Sequence, residues 1–389
     1  MALVDPPVQR VSVAGSMREI NPLEWDRCVG SDAALAGHAH LDMLEQSGTV
    51  TPETGFKARH VLVHDQTGRL VAAAPAWLKT HSNGELGIDL GLAMAHGRMS
   101  GPYYPKLQVE VPFVPNAGPR LLVNPAAGNR EALRAQLIES LKDLARKEGA
   151  SSVQITYALP EDVDAACGAG FLRRQSNGFM WRDKGYGDHA GFLAAMNRSG
   201  RHRACRDMKR AEALGVRYDV VKAADASPAF INRFHSLYRE TYARHGLQPW
   251  LTEDYFRRFC THFAGEAEFL VAREHGNWTA AFACLAVGGV YYAQHWVQEG
   301  ERRDVMFGLY QFCLKRIFDL KVAVADFSPT GAHKTLRGIT MEPNLHALWF
   351  ADPQFGEIAS RALDHRSTLA RQERDAEMGR SPLRQHGDE

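Results

Sequence analysis

Residues 60–78 read HVLVHDQTGRLVAAAPAWL, and residues 268–286 read EFLVAREHGNWTAAFACLA. Each stretch is an apolar run of strand length, a polar turn holding a glycine, and a second apolar run. That pattern predicts a β-hairpin. Gly68 and Gly276 occupy the same place in the two turns. The sequence on either side strengthens the repeat. After the first hairpin, GPRLLV (118–123) reads as a strand. Residues 130–147 read as a helix with Leu133, Leu137, Leu141 and Leu144 on one face, and SSVQITYAL (151–159) reads as a strand. After the second hairpin, GVYYAQHWV (289–297) reads as a strand, residues 305–318 as an apolar helix and KVAVADFS (321–328) as a strand. The order hairpin, strand, helix, strand therefore occurs twice. A duplicated α/β unit with a mixed sheet and packed helices is expected.

Helices are also predicted ahead of the second hairpin. One covers 192–196, and one starts at a Ser199 cap and ends near Leu214 before Gly215. A third covers 228–244, and a fourth starts at Thr252. Two domains are expected, at 1–183 and 184–370. Residues 371–389 are polar, lack an apolar stripe and are expected to be a disordered tail.

Composition sets the remaining bounds. The chain has 389 residues, 45% hydrophobic and 23% charged, which suits two globular cores. Formal net charge is +1, so nothing draws the whole molecule to DNA or to an anionic membrane, and a phosphate-bearing partner needs a local patch. No apolar run is long enough to span a bilayer. The first ten residues, MALVDPPVQR, lack the apolar centre of a signal peptide, so a cytoplasmic location is expected. The six cysteines form no CxxC pair, and His38 and His40 have no third ligand nearby, so no metal site is expected.

Several segments together carry a family resemblance: PLEWDRC (22–28), SGTVTPETGFKARHVLV (47–63), YYPKLQVEVPF (103–113), GPRLLV, GFLRRQSNGFMWRD (170–183), NRSGRHRACRDMKRAEALGV (197–216) and TGAHKTLRGITMEPNLHALWFADPQF (330–355). Over about Pro22 to Leu363 the chain resembles the FemAB-like N-acyltransferases, described as peptidoglycan biosynthesis or recognition proteins and placed in the GNAT superfamily. The resemblance implies tandem GNAT-like domains, each a mixed β-sheet flanked by helices, and acyl transfer onto an amine of a small molecule or peptide. It implies aminoacyl-tRNA or acyl-CoA as cosubstrate, with no cofactor bound permanently. A carrier-protein thioester is a lesser alternative. No RxxGxG/A loop for coenzyme A pyrophosphate is present. Relatives carry a histidine and an acid in a segment like LHFE; here residues 305–308 read VMFG. That departure is the best support for the other class of reading, a binding module that kept the fold without the chemistry.

Acyl transfer to an amine needs a base, donors for the oxyanion and cationic contacts for the donor's phosphates. His295, in the strand after the second hairpin, is one base candidate, because an unperturbed imidazole has its pKa near neutrality. His333 and Lys334, in GAHKTLRG, and Asp326, just upstream, complete the catalytic candidates. Arg337 suits a bidentate contact with carboxylate or phosphate. Tyr103, Tyr104 and Lys106, in the proline-stiffened GPYYPKL, are expected to line the acceptor cleft with Gln294, Trp296 and Arg337. Arg203, Arg206, Lys209 and Arg210, in the basic run 198–210 whose single acid is Asp207, are expected to hold the donor's phosphates. Each feature also has a plainer reading: a solvated basic helix, a packed loop, a structural histidine.

Overall fold

A computed structural model describes residues 10–30, 33–82, 89–327 and 331–383. Two compact units divide the chain. One holds the chain up to Ser176 together with Asn344–Leu369; the other holds Asn177–Pro343 and the chain from Ala370. The elements run β1 (Arg10–Ala14), α1 (Pro22–Val29), α2 (His38–Gln46), β2 (Phe56–Ala58), β3 (His60–His64), β4 (Leu70–Ala74), β5 (Ala76–Lys79), α3 (Leu90–Met99), β6 (Lys106–Val109), β7 (Leu122–Val123), α4 (Arg130–Lys147), β8 (Ser152–Ala158) and α5 (Pro160–Gly168). They continue with β9 (Leu172–Arg182), α6 (His189–Ala194), α7 (Arg198–Ala213), β10 (Arg217–Lys222), α8 (Pro228–Arg244), α9 (Glu253–His262), β11 (Ala267–Glu274), β12 (Asn277–Val287), β13 (Val290–Gln298), α10 (Arg303–Asp319), β14 (Val324–Asp326), β15 (Thr340–Phe350) and α11 (Pro353–Met378).

Both predicted hairpins form, as β3–β4 and β11–β12. His275 (φ 48°) and Gly276 (φ 84°) supply the two left-handed positions of a tight two-residue turn in the second. The two copies then diverge. In the first unit the run predicted as one strand breaks at Pro75, which has no N–H to give to a ladder. β4 joins the sheet β1-β3-β4-β7, whereas β5 joins the order β2-β5-β6-β8-β15. In the second unit the hairpin stays in one sheet, ordered β10-β11-β12-β13-β14-β9. In the first core, Leu133, Leu137, Leu141 and Leu144 of α4 pack on Val61, Val63, Leu107, Val109, Val153 and Ile155. In the second, α10 packs Leu309, Cys313, Leu314 and Ile317 on Leu270, Phe282, Tyr291 and Ala325.

Three expectations need correction. The helix read from Ser199 is capped two residues earlier, by Asn197, whose Oδ1 accepts from the Gly200 N–H at 2.9 Å. The expected boundary at 183 is replaced by a discontinuous division, because β15 pairs Leu345–Phe350 with β8 and so returns residues 344–369 to the first unit. The tail expected from 371 is helical to Met378. Beyond it the Asn197 N–H donates to Pro382 O at 2.7 Å, and Met196 bridges Leu383. Residues 384–389 of that expectation lie outside the described residues.

Candidate functional site

The GAHKTLRG segment folds as a 3-10 helix, Ala332–Arg337, between two left-handed glycines, Gly331 (φ 107°) and Gly338 (φ 79°). A side chain at 338 would be strained by that φ and would stand 2.8 Å from the Phe192 ring. Arg337 is buried and held on three sides. Its Nη2 donates to Asp207 Oδ2 at 2.7 Å, its Nη1 donates to His333 O at 2.8 Å, and its guanidinium lies 3.9 Å from the centre of the Phe307 ring. Lys334 is also buried. Its Nζ donates to Phe327 O and lies 5.2 Å from the Phe179 ring centre. Burial pushes the Lys334 ammonium down to about 7, against the opposing pull of Asp326. Half-buried His333 sits 5.7 Å from the Phe307 ring and 5.1 Å from the Tyr310 ring. Burial, then the charges of Arg337 and Lys334, push its imidazole down to about 4, and its Nε2 has no hydrogen-bond partner among the described residues. His333 is therefore neutral at physiological pH, and Lys334 is an amine poised between its two states.

These groups stand beside a break in the sheet. β13 and β14 pair in parallel only over Val290–Tyr292 and Val324–Asp326, while β13 runs on to Gln298. Against β12, His295 faces Ala283 and Ala293 faces Cys284, so Gln294 is an extra residue in a β-bulge. The Gln294 Nε2 is buried without a partner among the described residues. Trp296 packs against the core shared with α10. The bulge sends His295 to the other face of the sheet, where its ring lies 5.9 Å from those of Tyr238 on α8 and Phe256 on α9. His295 was expected to share a cleft with Lys334. A one-residue insertion in the period-two strand pattern separates them.

α7 turns Gly200, Ala204, Asp207 and Ala211 inward and leaves Arg206, Lys209 and Arg210 exposed, with Arg203 half-buried beside them. The basic helix expected from sequence is thus an open cationic face. Its buried acid, Asp207, is the partner of Arg337. α10 crosses α7 at Gly308, where a Cβ would lie 1.9 Å from the Tyr218 hydroxyl and 2.9 Å from Ala211 Cβ. The glycine of VMFG is therefore a packing residue.

In the first unit, Tyr103 and Lys106 do not line an open wall. Lys106 Nζ donates to Asp89 Oδ2 at 2.6 Å and the Tyr103 hydroxyl to the same oxygen at 3.1 Å; Lys106, Asp89 and Tyr103 are all buried. Burial would raise the Asp89 carboxyl, but Lys106, Ser82 and Tyr103 together hold it below the ordinary range. The Tyr104 hydroxyl donates to Ser82 Oγ at 2.7 Å. The proline-stiffened aromatic loop GPYYPKL is expected to form a substrate wall. The side chains instead complete one another's hydrogen bonds. Arg337, expected to meet substrate, is likewise occupied by Asp207. The residues that sequence reading missed are Asp207, Phe307, Tyr310, Phe179 and Phe327. Only Asp207 left a signal, as the lone acid of a basic run.

Among the described residues no helix is long and apolar enough to cross a membrane, and no three His, Cys, Asp or Glu side chains group as metal ligands would. The structure resembles that of L-PGS from Bacillus licheniformis, with 12% identity and a TM-score of 0.52, covering 91% of this chain and 99% of that one. It also resembles FemX, with 13% identity and a TM-score of 0.51, covering 81% and 93%. At such identities the likeness concerns the fold, which is the expected α/β arrangement of tandem GNAT-like units. No curated protein sequence matches the chain significantly. A family model for FemAB-like peptidoglycan biosynthesis/recognition proteins matches residues 16–385. The chain therefore belongs to the FemAB-like family.

Proposed function

We propose that this protein is a transferase that moves an acyl or aminoacyl group from an activated donor, aminoacyl-tRNA or acyl-CoA, onto an amine of a small molecule or peptide. The observation that carries this reading is Lys334: a buried amine with its ammonium pushed down to about 7, at the end of β14 where the ladder with β13 stops. An acceptor amine attacks only when unprotonated, and a lysine that is neutral in part at working pH can take its proton. In the proposed step the amine nitrogen bonds to the acyl carbon. The ester C–O or thioester C–S bond breaks, and the proton lost from nitrogen goes to Lys334, which passes it to the leaving ribose oxygen or sulfur. Asp326 favours the charged lysine that results. The neutral imidazole of His333 and the Gln294 bulge are the nearest candidates for contacts with the reacting carbonyl. The exposed face of Arg203, Arg206, Lys209 and Arg210 suits the donor's phosphates, with a salt-dependent contribution from each. Retention of fold without chemistry loses its main support, since Gly308 has a packing reason of its own.

The test is mass spectrometry of reactions between the purified protein, a panel of acyl-CoAs and charged tRNAs, and a panel of amines. A product that appears with the native chain and falls at least about a hundredfold with Lys334→Met supports the reading. Turnover that Lys334→Met leaves intact removes Lys334 as the base, and no product from any donor refutes transfer to these amines.

A further inference from the structure

From Arg371 to Arg380 only Arg374 and Glu377 are turned away from solvent. The segment after that stretch behaves differently. α11 stops at Met378, before Gly379 and Pro382, two residues that do not continue a helix. Pro382 is buried, and Leu383 is half-buried against the second core. The Asn197 N–H donates to Pro382 O at 2.7 Å, and Met196 pairs with Leu383 in an antiparallel bridge. A side chain at Gly200 would run into the Pro382 ring. A solvated stretch therefore ends in an apolar anchor, seated on the junction between α6 and α7.

The loop bearing Lys334 rests on the same junction. Phe192 and Met196 are both buried. A Cβ at Gly338 would stand 2.8 Å from Phe192 Cζ and 3.0 Å from Met196 Cε, so both side chains touch the backbone that closes the 3-10 helix. There the Gly338 N–H donates to Thr335 O at 3.0 Å and the Ile339 N–H to Lys334 O at 3.3 Å. From the first turn of α7, Arg201 Nη1 donates to Met196 O. Contacts thus run unbroken from Leu383 through Met196 to Gly338. Lys334 is an amine near neutrality only while that loop stays packed, because burial is what lowers its ammonium. The anchor itself buries one proline and part of one leucine, so it can open locally while the rest of the unit stays folded.

We propose that Ser381–Leu383 is a releasable strap over the α6–α7 junction, and that Pro382 and Leu383 are positioning residues that hold the Lys334 loop closed through Met196. Release of the strap loosens the loop and lets solvent reach Lys334. The effect of release on turnover rests on the proposed role of Lys334 as base. The strap does not rest on it, and a readout of backbone protection tests the strap without any substrate.

The test is amide hydrogen exchange, followed by mass spectrometry, on the full chain and on variants that attack the contact from its two sides. Leu383→Asp removes the apolar anchor, and Gly200→Ala places a methyl group where the Pro382 ring sits. In both, peptides covering 196–200 and 332–339 should exchange about tenfold faster or more, while β11 and β12 keep their native protection. Leu383→Met keeps an apolar side chain and should keep the native rates. Faster exchange at 196–200 with native rates at 332–339 overturns the proposal, because the segment then docks without holding the loop. Loss of protection throughout the second unit also overturns it, since the segment is then an ordinary part of the fold. So do native rates at both places in Leu383→Asp.

Discussion

Lys334 is where sequence and structure meet most closely. The plainer reading of a lysine inside a glycine-bounded basic loop is a solvated charge, because loop cations are normally exposed. Here the side chain is buried against Phe179 and Phe327 O, and its chemistry becomes that of an amine. The consequence for stability can be worked out by sign. The unfolded chain keeps the Lys334 proton up to about 10.5, whereas the folded chain keeps it only up to about 7. Between those values the unfolded state binds more protons, so Lys334 makes stability rise with pH through that window, and below about 7 the full burial penalty applies. Lys334→Met should remove this dependence. Urea unfolding at about pH 7 and about pH 9 should show the native chain gaining on the variant by roughly 1–2 kcal/mol over that span. Parallel curves for the two proteins would show that Lys334 titrates as an ordinary surface lysine. His295 went the other way. Nothing in YAQHWV announces that Gln294 is a bulge, since the extra residue is visible only against the partner strand.

Among the elements, the crossing of α7 and α10 explains the departure in VMFG. The resemblance implies an acid near the start of α10, but at 308 this chain needs a residue without a Cβ, because Tyr218 and Ala211 fill the space. Restoring the acid should therefore harm the fold. Gly308→Glu is expected to lower Tm by at least about 5 °C, through overpacking of a well-filled contact, and to add no transfer activity. Calorimetry checks this, and a variant as stable as the native chain would mean that the helices move apart at no cost. The same crossing sets Asp207 against Arg337, so the exposed basic face of α7 and the loop bearing Lys334 are joined by a buried ion pair. Pairs of that kind bridge 130 positions of sequence and leave no local trace.

At the scale of the whole molecule, neither unit is a continuous stretch of chain. β8 pairs with β6 on one side and is completed on the other by Leu345–Phe350, and Tyr103 and Leu92 are covered by Phe355, Ala359 and Leu363 of α11. A fragment of residues 1–183 lacks both. It should fail to fold cooperatively, with weak near-ultraviolet circular dichroism and no sharp thermal transition. A chain in which a short Gly/Ser linker joins residue 176 to residues 344–369 should fold, since the Ser176 hydroxyl and His346 Nε2 already lie 2.8 Å apart. A cooperative 1–183 fragment would restore the simple boundary.

By itself the sequence determined several of the segments that become strands and helices, though not the helix that runs on to Met378. The apolar periodicity of 130–147 and 228–244, the glycine turns at 68 and 276 and the cap at Thr252 are local signals, set by backbone sterics and side-chain spacing. It also placed the His333–Lys334 loop and the basic helix. What only the tertiary structure decided is which side chains those segments share. The break at Pro75 sends one predicted strand into two sheets, and the bulge at Gln294 turns His295 away. Lys106 finds Asp89, and Arg337 finds Asp207. Burial made Lys334 an amine near neutrality, and burial is a property of the packed whole that no window of sequence contains.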